Sequence, residues 1–238
     1  MADTSAMGPF GVRASAGELV RNVRAMKEAP RYVADGDLRA RCHTNLSLFE
    51  LAGSTADSTD RRRSAVVVCI VAGSRGEACL IVTRRAAGLR AHASQYALPG
   101  GRVEPGEDAV DAALRETEEE VGLCCKRADV LGLLDDYPTR SGYVITPVVV
   151  WGPSGAHPVP NPAEVAAIHL PPLADLDHPD APRLLAIPES DQPVIQMPLL
   201  GQWIHAPTAA ILYQFREVAL HGRATRVARY EQPTWAWG

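Results

Sequence analysis

The chain has 238 residues, of which 46% are hydrophobic and 22% are charged, a composition typical of a globular protein that buries its own core. Its formal net charge of −4 excludes a general electrostatic attraction to nucleic acid or to an anionic membrane surface. No apolar run is long enough to span a bilayer, and the N-terminus lacks a secretory apolar region. We therefore expect a cytoplasmic protein.

The cysteines are expected to be reduced thiols, since an odd number cannot all pair and no export signal accompanies them. They are Cys42, Cys69, Cys79, Cys124 and Cys125. The neighbours Cys124 and Cys125 do not predict a zinc site, because the sequence has no second Cys/His pair at ligand spacing.

Residues 1–60 are predicted to be an N-terminal extension and linker ahead of the main domain. Within them, residues 16–28 and residues 38–51 have the character of short helices, while residues 53–60 are rich in Ser, Thr and Asp. The basic run of residues 61–63 then fits the solvated edge of a strand. No chemistry is predicted for this part of the chain.

The pattern changes at Ser64, after which a β-branched apolar run over residues 65–71 predicts a buried strand. A turn at residues 73–76 and a return strand at residues 78–83 complete a hairpin. Residues 95–98 predict a third strand, which leads into a loop rich in Gly and Pro.

A helix of about three turns follows this loop. Asp108 stands at the N-cap position, and strong helix formers continue until Gly122, which is placed to end the helix. At about 100° per residue, one stripe of this helix is predicted to face a core. That stripe consists of Val110, Leu114, Thr117 and Val121.

Glu116, Glu119 and Glu120 share another face of the same helix, at spacings i, i+3 and i+4. Such a run is usually a solvated surface, and like charges at this spacing destabilise a bare helix. The alternative is that these carboxylates hold Mg²⁺ or Mn²⁺, which prefer hard oxygen ligands. Glu107 in the preceding loop can approach the same ion, and Arg115 can orient a carboxylate through a bidentate pair.

Downstream, β-rich segments alternate with turns and lead to a C-terminal helix. Strands are predicted at residues 130–134, 143–151 and 164–170, followed by a short turn or helix at residues 171–176. Two β-rich pieces are predicted near residues 183–187 and 194–204. A helix begins at Pro207 and continues to about residue 220, and the tail packs back as an edge or lid. We predict an α/β fold with a main domain over residues 61–205 and a C-terminal helix and tail, residues 206–238, packed on it.

The loop and the acidic helix resemble the signature of the Nudix hydrolases, residue by residue at fixed spacing. The matching residues are Gly101, Glu107, Arg115, Glu116, Glu119, Glu120, Gly122 and Leu123. Thr117 stands where the family usually has an aliphatic residue. The resemblance implies a Nudix-type α/β/α sandwich around a mixed β-sheet. It also implies metal-dependent hydrolysis of a nucleoside diphosphate linked to another group.

The resemblance further implies roles for individual residues. Its metal ligands would be Glu107, Glu116, Glu119 and Glu120, and its catalytic set Arg115, Glu116, Glu119 and Glu120. Either Glu119 or Glu120 would serve as the general base. Gly100 and Gly101 would bring backbone N–H groups close to the substrate, because they have no Cβ in the way.

The segment before this signature resembles the second motif of the coenzyme A pyrophosphatases. The residues that fit are Thr83, Arg85, Ala86, Arg90, Pro99, Gly100 and Gly101, with Ser94 in place of a Gly and Leu98 in place of a Phe. Residues 142–148 and 161–165 resemble the same branch. Arg85 and Arg90 would then bind the 3′-phosphate that distinguishes coenzyme A, or would instead pair with the acidic helix.

The expected reaction converts coenzyme A or an acyl-coenzyme A to 3′,5′-ADP and the corresponding 4′-phosphopantetheine. Two alternatives stay open: a Nudix hydrolase acting on ADP-ribose, NADH or another nucleotide, and a non-catalytic nucleotide-binding regulator. The intact acidic set argues against the regulator, since sensing needs no hydrolytic metal cluster. The expected partner is a small-molecule nucleotide, without nucleic acid or membrane, and a homodimer is compatible with the sequence.

Overall fold

Strands dominate the described part of the chain, which covers residues 31–52, 61–86 and 95–237 of the computed structural model. They are β1 (Arg62–Ala72), β2 (Ala78–Leu80), β3 (Val82–Arg85), β4 (Tyr96–Ala97), β5 (Gly100–Arg102), β6 (Val130–Leu133), β7 (Tyr137–Pro138), β8 (Tyr143–Trp151), β9 (Val165–His169), β10 (Arg183–Ile187), β11 (Ser190–Leu199) and β12 (Gln202–His205). The α-helices are α1 (Gly36–Ser47), α2 (Ala109–Val121) and α3 (Thr208–Phe215). Short 3₁₀ turns lie at Arg127–Asp129, Leu173–Asp177 and Thr234–Ala236.

Within these described residues the largest sheet is mixed, in the order β2-β1-β8-β6, with β5 also paired to β1 and β7 to β8. Its two long strands, β1 and β8, run parallel from the pair Arg62–Tyr143 to the pair Ile70–Trp151. The other pairs in this sheet are antiparallel. Strands β4, β3 and β9 form a second sheet, and β10, β11 and β12 form a third.

Two hydrophobic clusters cover the two faces of the mixed sheet, because successive residues of β1 point to opposite sides. Val67 belongs to the cluster that includes Ala113 of α2. Val68 belongs to the cluster that includes Leu46 of α1 and Phe215 of α3. The mixed sheet is therefore the middle layer between helices, and the predicted α/β/α sandwich is confirmed.

Helix α2 has the predicted bounds, because both of its ends are capped by the expected residues. The Asp108 side chain accepts a hydrogen bond from the Asp111 N–H at 2.9 Å. Gly122 adopts the left-handed conformation, with φ 66°, and its N–H donates to the Glu118 carbonyl. An L side chain rarely adopts this conformation, so a glycine suits the helix end.

The buried stripe of α2 differs from the predicted one. Thr117 and Val121 are buried as expected, but Val110 and Leu114 are only partly buried, and Ala112 and Ala113 take the innermost positions. The small alanines let the helix approach β1 and β5 closely. Glu120 also lies on the inner side of the helix, with only 3% of that residue exposed.

Helix α1 packs on the same core as the strands. Its N-cap is Asp35, whose side chain accepts from the Leu38 N–H at 2.9 Å, and Leu38, Cys42 and Leu46 are buried at spacing i, i+4, i+8. Gly132 of β6 lets α1 pack closely against the sheet, since an added Cβ there would lie 2.8 Å from Leu46 Cβ. The described residues from Arg31 onward form one compact unit, whereas the sequence placed the start of the domain at residue 61.

Three predicted elements have different bounds in the structure. The expected strand over residues 78–83 is divided at Ile81, whose N–H donates to the Cys69 carbonyl, so that β2 and β3 belong to different sheets. The β-rich piece expected near residues 194–204 is a hairpin, because Leu200 and Gly201 both have positive φ and reverse the chain in two residues. The C-terminal helix is α-helical only to Phe215 and continues as a π-helical turn to Leu220.

The C-terminal tail packs back on the domain. Val227, Tyr230 and Glu231 are buried, and Glu231 forms an isolated bridge to Val194 of β11. No helix in the described ranges is long and apolar enough to cross a membrane. The predictions for residues 16–28 and 53–60 lie outside the described residues.

Candidate active site

Two carboxylates of α2 lie against the glycines that open β5. An added Cβ at Gly101 would lie only 2.1 Å from Glu116 Oε1, so the Glu116 carboxylate occupies the space that a side chain would need. The Gly100 N–H donates to Glu120 Oε2 at 3.3 Å. The glycine pair and the acidic helix, which are separated by a loop in sequence, are therefore one site.

Burial changes the protonation of these two carboxylates. Desolvation raises the pKa of Glu120 to about 7, against smaller opposing effects of the Gly100 N–H and the Arg85 charge. Desolvation also raises the pKa of Glu116, although its hydrogen bond to Arg115 opposes this. A cation placed between them would favour the charged forms of both groups.

Arg115 holds the other acidic residues together. Its Nε donates to Glu107 Oε1 at 2.8 Å and its Nη2 to Glu107 Oε2 at 3.2 Å, a bidentate pair that lowers the pKa of Glu107. Its Nη1 donates at 3.0 Å to both Glu116 Oε1 and Glu119 Oε2. Its Nη2 also donates to the Arg102 carbonyl at 3.1 Å. One guanidinium thus fixes three carboxylates and the end of β5.

The donor set suits a hard divalent cation, because every side-chain ligand on offer is a carboxylate. Two of these carboxylates, Glu116 and Glu120, are withdrawn from solvent and lie over glycines with no Cβ to fill the space. In the described residues no three His, Cys, Asp or Glu side chains converge closely enough to hold a metal ion. Arg115 instead holds both oxygens of Glu107 and one oxygen each of Glu116 and Glu119.

A cleft of about 510 Å³ reaches the same glycines from the other face of the mixed sheet. Ser64 and Val66 of β1 line it, and they alternate with Ala65 and Val67, which face α2. Its other walls include Arg85, Gln95, Tyr96, Arg102, Tyr143, Ile145, Pro207, Ile211, Gln232 and Ala236. Gly100 and Gly101 thus separate the carboxylates from a space large enough for a small molecule.

The family model for the NUDIX domain matches residues 61–190, which is more than half of the chain. The chain belongs to the Nudix family. The matched residues include the whole of α2, the glycine pair and both long strands of the mixed sheet.

Among curated proteins, the chain is 41% identical over 119 residues to one named "Uncharacterized Nudix hydrolase NudL" from Photorhabdus laumondii, covering 50% of this chain and 63% of that protein. It is also 41% identical over 117 residues to a protein of the same name from Yersinia pestis, covering 49% of this chain and 58% of that protein. The chain thus spans about three fifths of the length of these relatives. A solved NUDIX hydrolase from Alicyclobacillus acidocaldarius is 21% identical with a TM-score of 0.45, covering 70% of this chain and 94% of that one.

The structure places the sequence-predicted Nudix residues in two groups. Arg115 lies in direct contact with Glu107, Glu116 and Glu119, and Glu120 lies one turn further into the protein. Gly100, Gly101 and the partly buried Arg85 line the cleft. Leu98 is buried beside them, with 5% exposed. Arg90 and Ser94 lie outside the described residues.

Sequence reasoning assigned no role to Glu164, which lies near the Nudix carboxylates. The Asn161 N–H donates to the Glu120 carbonyl at 2.9 Å, and Ala86 N–H donates to the Glu164 carbonyl, so this loop is fixed beside α2 and β3. After burial, the negative charge of Glu164 is a further cause of the raised pKa of Glu116 and Glu120. The sequence signal for this loop is the resemblance of residues 161–165 to the coenzyme A pyrophosphatases.

Proposed function

We propose that this Nudix protein hydrolyses the pyrophosphate bond of a nucleoside diphosphate derivative, with Mg²⁺ or Mn²⁺ as cofactor. The observation that carries the proposal is the meeting of Glu116 and Glu120 with Gly100 and Gly101 at the edge of the cleft. A pyrophosphate in the cleft would face buried carboxylates across two residues that have no side chains. The pyrophosphate and the carboxylates are all negatively charged, so a cation would be needed between them.

Glu116, Glu119, Glu120 and Glu107 are the residues that would hold the metal. When bound, a divalent cation neutralises phosphate oxygens and makes water more acidic. Arg115 contacts three carboxylates. Among the described residues of the cleft wall, it bonds only to the Arg102 carbonyl. Arg115 therefore acts on the carboxylates. Its role is to fix carboxylate orientation.

The water that attacks phosphorus must give its proton to a base. Glu119 is bound to Arg115 and its side chain is 53% exposed, whereas Glu120 is buried and receives only the weak Gly100 contact among the described hydrogen bonds. This arrangement favours Glu120 as the general base. The bond between phosphorus and the bridging oxygen breaks as the bond to water oxygen forms.

The proposed substrate is coenzyme A or an acyl-coenzyme A, with 3′,5′-ADP and the corresponding 4′-phosphopantetheine as products. Support comes from the upstream motif, whose Arg85 lies in the cleft near Glu120. Arg85 and Arg90 are proposed substrate-binding residues, together with Gly100 and Gly101. All five cysteines are free thiols, which agrees with the proposed cytoplasmic setting.

The test is a Mg²⁺-dependent screen of coenzyme A, dephospho-coenzyme A, ADP-ribose, NADH and diadenosine polyphosphates, with products separated by chromatography. Coenzyme A should give 3′,5′-ADP and be cleaved fastest, and EDTA should abolish the reaction. If ADP-ribose or NADH is cleaved faster than coenzyme A, the proposed substrate is wrong, while the proposed pyrophosphate hydrolysis stands. Tight binding of a nucleotide with no cleavage under any metal would favour a regulator.

A further inference from the structure

Two arginines from different strands converge on Tyr143, which lines the cleft. Arg102 of β5 donates from Nε to the Tyr143 hydroxyl at 3.0 Å, with its guanidinium carbon 5.9 Å from the ring centroid. The guanidinium carbon of Arg62 lies 4.1 Å from the centroid of the same ring. We call Arg62, Arg102 and Tyr143 the Arg102 site.

The sheet register fixes these three side chains on one face. Arg62 is paired directly with Tyr143 across β1 and β8, and Ser64 is paired with Arg102 across β1 and β5. Arg62 and Ser64 are two residues apart, so they point to the same side of the sheet, which is the side of the cleft.

The turn before β8 holds Tyr143 in place. The Tyr143 N–H donates to Thr139 Oγ1 at 2.9 Å, and the Thr139 N–H donates to the Tyr143 carbonyl at 2.8 Å. Arg62 Nη2 also donates to the Ser141 carbonyl at 2.9 Å. The site is therefore formed before any ligand arrives.

The positive charge of the Arg102 site has no carboxylate partner within residues 31–52, 61–86 and 95–237. Neighbouring arginines do have one: Arg63 pairs with Asp136, Arg115 with Glu107 and Arg140 with Glu231. Arg62 and Arg102 bond instead to a carbonyl and a phenol, which carry no charge. Two exposed guanidinium groups left so close together in a chain of net charge −4 form a local site for an anion.

Guanidinium groups match the geometry of phosphate, which accepts bidentate hydrogen bonds. The Ser64 and Ser141 side chains also line this end of the cleft and bring hydroxyl groups to it. A phosphate here would be recognised by charge together with several donors, as a specific phosphate site requires.

We propose that the Arg102 site binds a phosphomonoester of the substrate, separate from the pyrophosphate that is cleaved. This inference rests on the proposed function, and for coenzyme A the group is the 3′-phosphate. It differs from the expectation that Arg85 and Arg90 bind that phosphate. Arg85 lies in the cleft wall near Glu120, where the pyrophosphate is proposed to react, whereas Arg102 follows the glycine pair at the end of β5 and contacts Tyr143.

The chain itself joins the two positions. Arg102 follows Gly101 directly, so their Cα atoms are about 3.8 Å apart. The Arg102 carbonyl is also held by Arg115, which contacts Glu107, Glu116 and Glu119. The end of β5 therefore connects the proposed phosphate site to the proposed reaction site.

The decisive experiment compares the wild type with Arg102→Gln on coenzyme A and dephospho-coenzyme A. The variant should raise KM for coenzyme A by about ten- to a hundredfold, while KM for dephospho-coenzyme A and both kcat values stay within about twofold. Arg102→Lys keeps the charge but lacks the planar guanidinium group, so its KM for coenzyme A should lie between those of the wild type and Arg102→Gln. Equal changes on both substrates, or none, would overturn the proposal.

The matched control is Arg183→Gln. Arg183 is also an exposed arginine over an aromatic ring, with its guanidinium carbon 3.6 Å from the Trp203 centroid, but it lies on β10 outside the cleft lining. It should leave KM for both substrates unchanged. Arg85→Gln should affect both substrates alike. If Arg85→Gln alone raises KM for coenzyme A without raising KM for dephospho-coenzyme A, the phosphate is bound by Arg85 and not by the Arg102 site.

A binding measurement separates this inference from the proposed reaction. Calorimetric titration with adenosine 3′,5′-bisphosphate and with AMP, in EDTA, needs no turnover. The wild type should prefer the bisphosphate by about tenfold or more, and Arg102→Gln should lose that preference. If coenzyme A is not cleaved but this result holds, the substrate proposal fails and the site stands. No preference in the wild type, or an unchanged preference in the variant, would reject the site.

Discussion

The two sides of the Gly100–Gly101 pair are built in opposite ways. On the side of α2, the groups that meet come from Glu107, Arg115, Glu116, Glu119 and Glu120, all within one loop and one helix. On the cleft side, the walls come from β1, β3, β4, β5, β8, α3 and the tail. The proposed chemistry is local in sequence, and the proposed recognition depends on long-range packing.

The difference matters because the two sides respond to different kinds of change. A loop and a helix that share one arginine can keep their arrangement while the cleft walls vary. The cleft can then change its selectivity without disturbing the carboxylates. Substitutions on the α2 side should therefore alter turnover, and those on the cleft side should alter substrate choice or stability.

The largest effect is expected from Glu120→Gln, which keeps the shape and removes the charge. Turnover with saturating Mg²⁺ should fall about a hundredfold or more, because a catalytic metal supplies several kcal/mol. The thermal midpoint should not fall, since the buried carboxylate is replaced by a neutral group. Steady-state kinetics and thermal unfolding measure both quantities.

The control for this variant is Glu118→Gln on the exposed side of the same helix. It should retain wild-type turnover within about twofold, as surface substitutions usually do. Near-normal activity of Glu120→Gln would contradict the proposed role of Glu120. It would also contradict the expectation that substitutions on the α2 side alter turnover.

The glycine pair gives a second test, because each residue faces a different side. In Gly100→Ala the Cβ would lie 2.3 Å from the Ala65 carbonyl oxygen, which is backbone and cannot move aside. The free energy of unfolding should therefore fall by about 1–3 kcal/mol. In Gly101→Ala the Cβ meets the end of the Glu116 side chain, which can turn away.

Gly101→Ala should therefore keep its stability and lose turnover, because the Glu116 carboxylate is displaced. Urea unfolding and kinetics on both variants separate the two effects. The contrast fails if Gly101→Ala is the less stable variant, or if it keeps full turnover.

Arg115→Lys should give a smaller loss. Lysine keeps one charge but cannot bind Glu107 in a bidentate way while also reaching Glu116 and Glu119. Turnover should fall about tenfold, and the Mg²⁺ concentration for half-maximal rate should rise. A titration of rate against Mg²⁺ checks this. A change in KM for substrate alone, with the Mg²⁺ dependence intact, would contradict the positioning role.

The same contrast explains what could be predicted from the sequence. The bounds of α2 were predicted because Asp108 and Gly122 are local capping signals, and β8 was predicted because its sequence is rich in β-branched and aromatic residues. The carboxylate set was predicted from the resemblance to the Nudix signature, because the helical spacing of Glu116, Glu119 and Glu120 alone also fits a solvated face. The buried face of α2 was only partly predicted, since helical periodicity does not say which of two apolar stripes a sheet will accept.

The cleft side could not be predicted in the same way. The basic run of residues 61–63 fits a solvated strand edge, and Arg62 is exposed. Its contact with Tyr143 could not be predicted, because Tyr143 is 81 positions away and only the register of β1 and β8 brings the two together. The turn at Leu200 was also missed, since a leucine at φ 51° gives no sequence signal for positive φ. In both cases tertiary pairing decides the outcome.

The smallest effect concerns the tail that closes the cleft. Glu231 is 3% exposed, and Arg140 donates from Nε to both of its carboxylate oxygens at 3.1 and 3.2 Å. This pair precedes Gln232 and Ala236, which line the cleft. Hydrogen bonding to Arg140 lowers the pKa of Glu231 in the folded protein. Glu231→Gln should therefore lower the free energy of unfolding at pH 7 by about 1–2 kcal/mol.

The pH dependence of that loss identifies its cause. A carboxylate with a lowered folded-state pKa contributes stability above its unfolded pKa of about 4.3, and this stability disappears as the pH falls through the folded value. In urea unfolding, the gap between wild type and Glu231→Gln should be full at pH 7 and should close below the ordinary glutamate pKa. Glu189→Gln, exposed on the β10–β11 turn, is the control and should show no gap. A gap that persists in acid would mean that the glutamine disturbs packing, and that charge pairing does not hold the tail over the cleft.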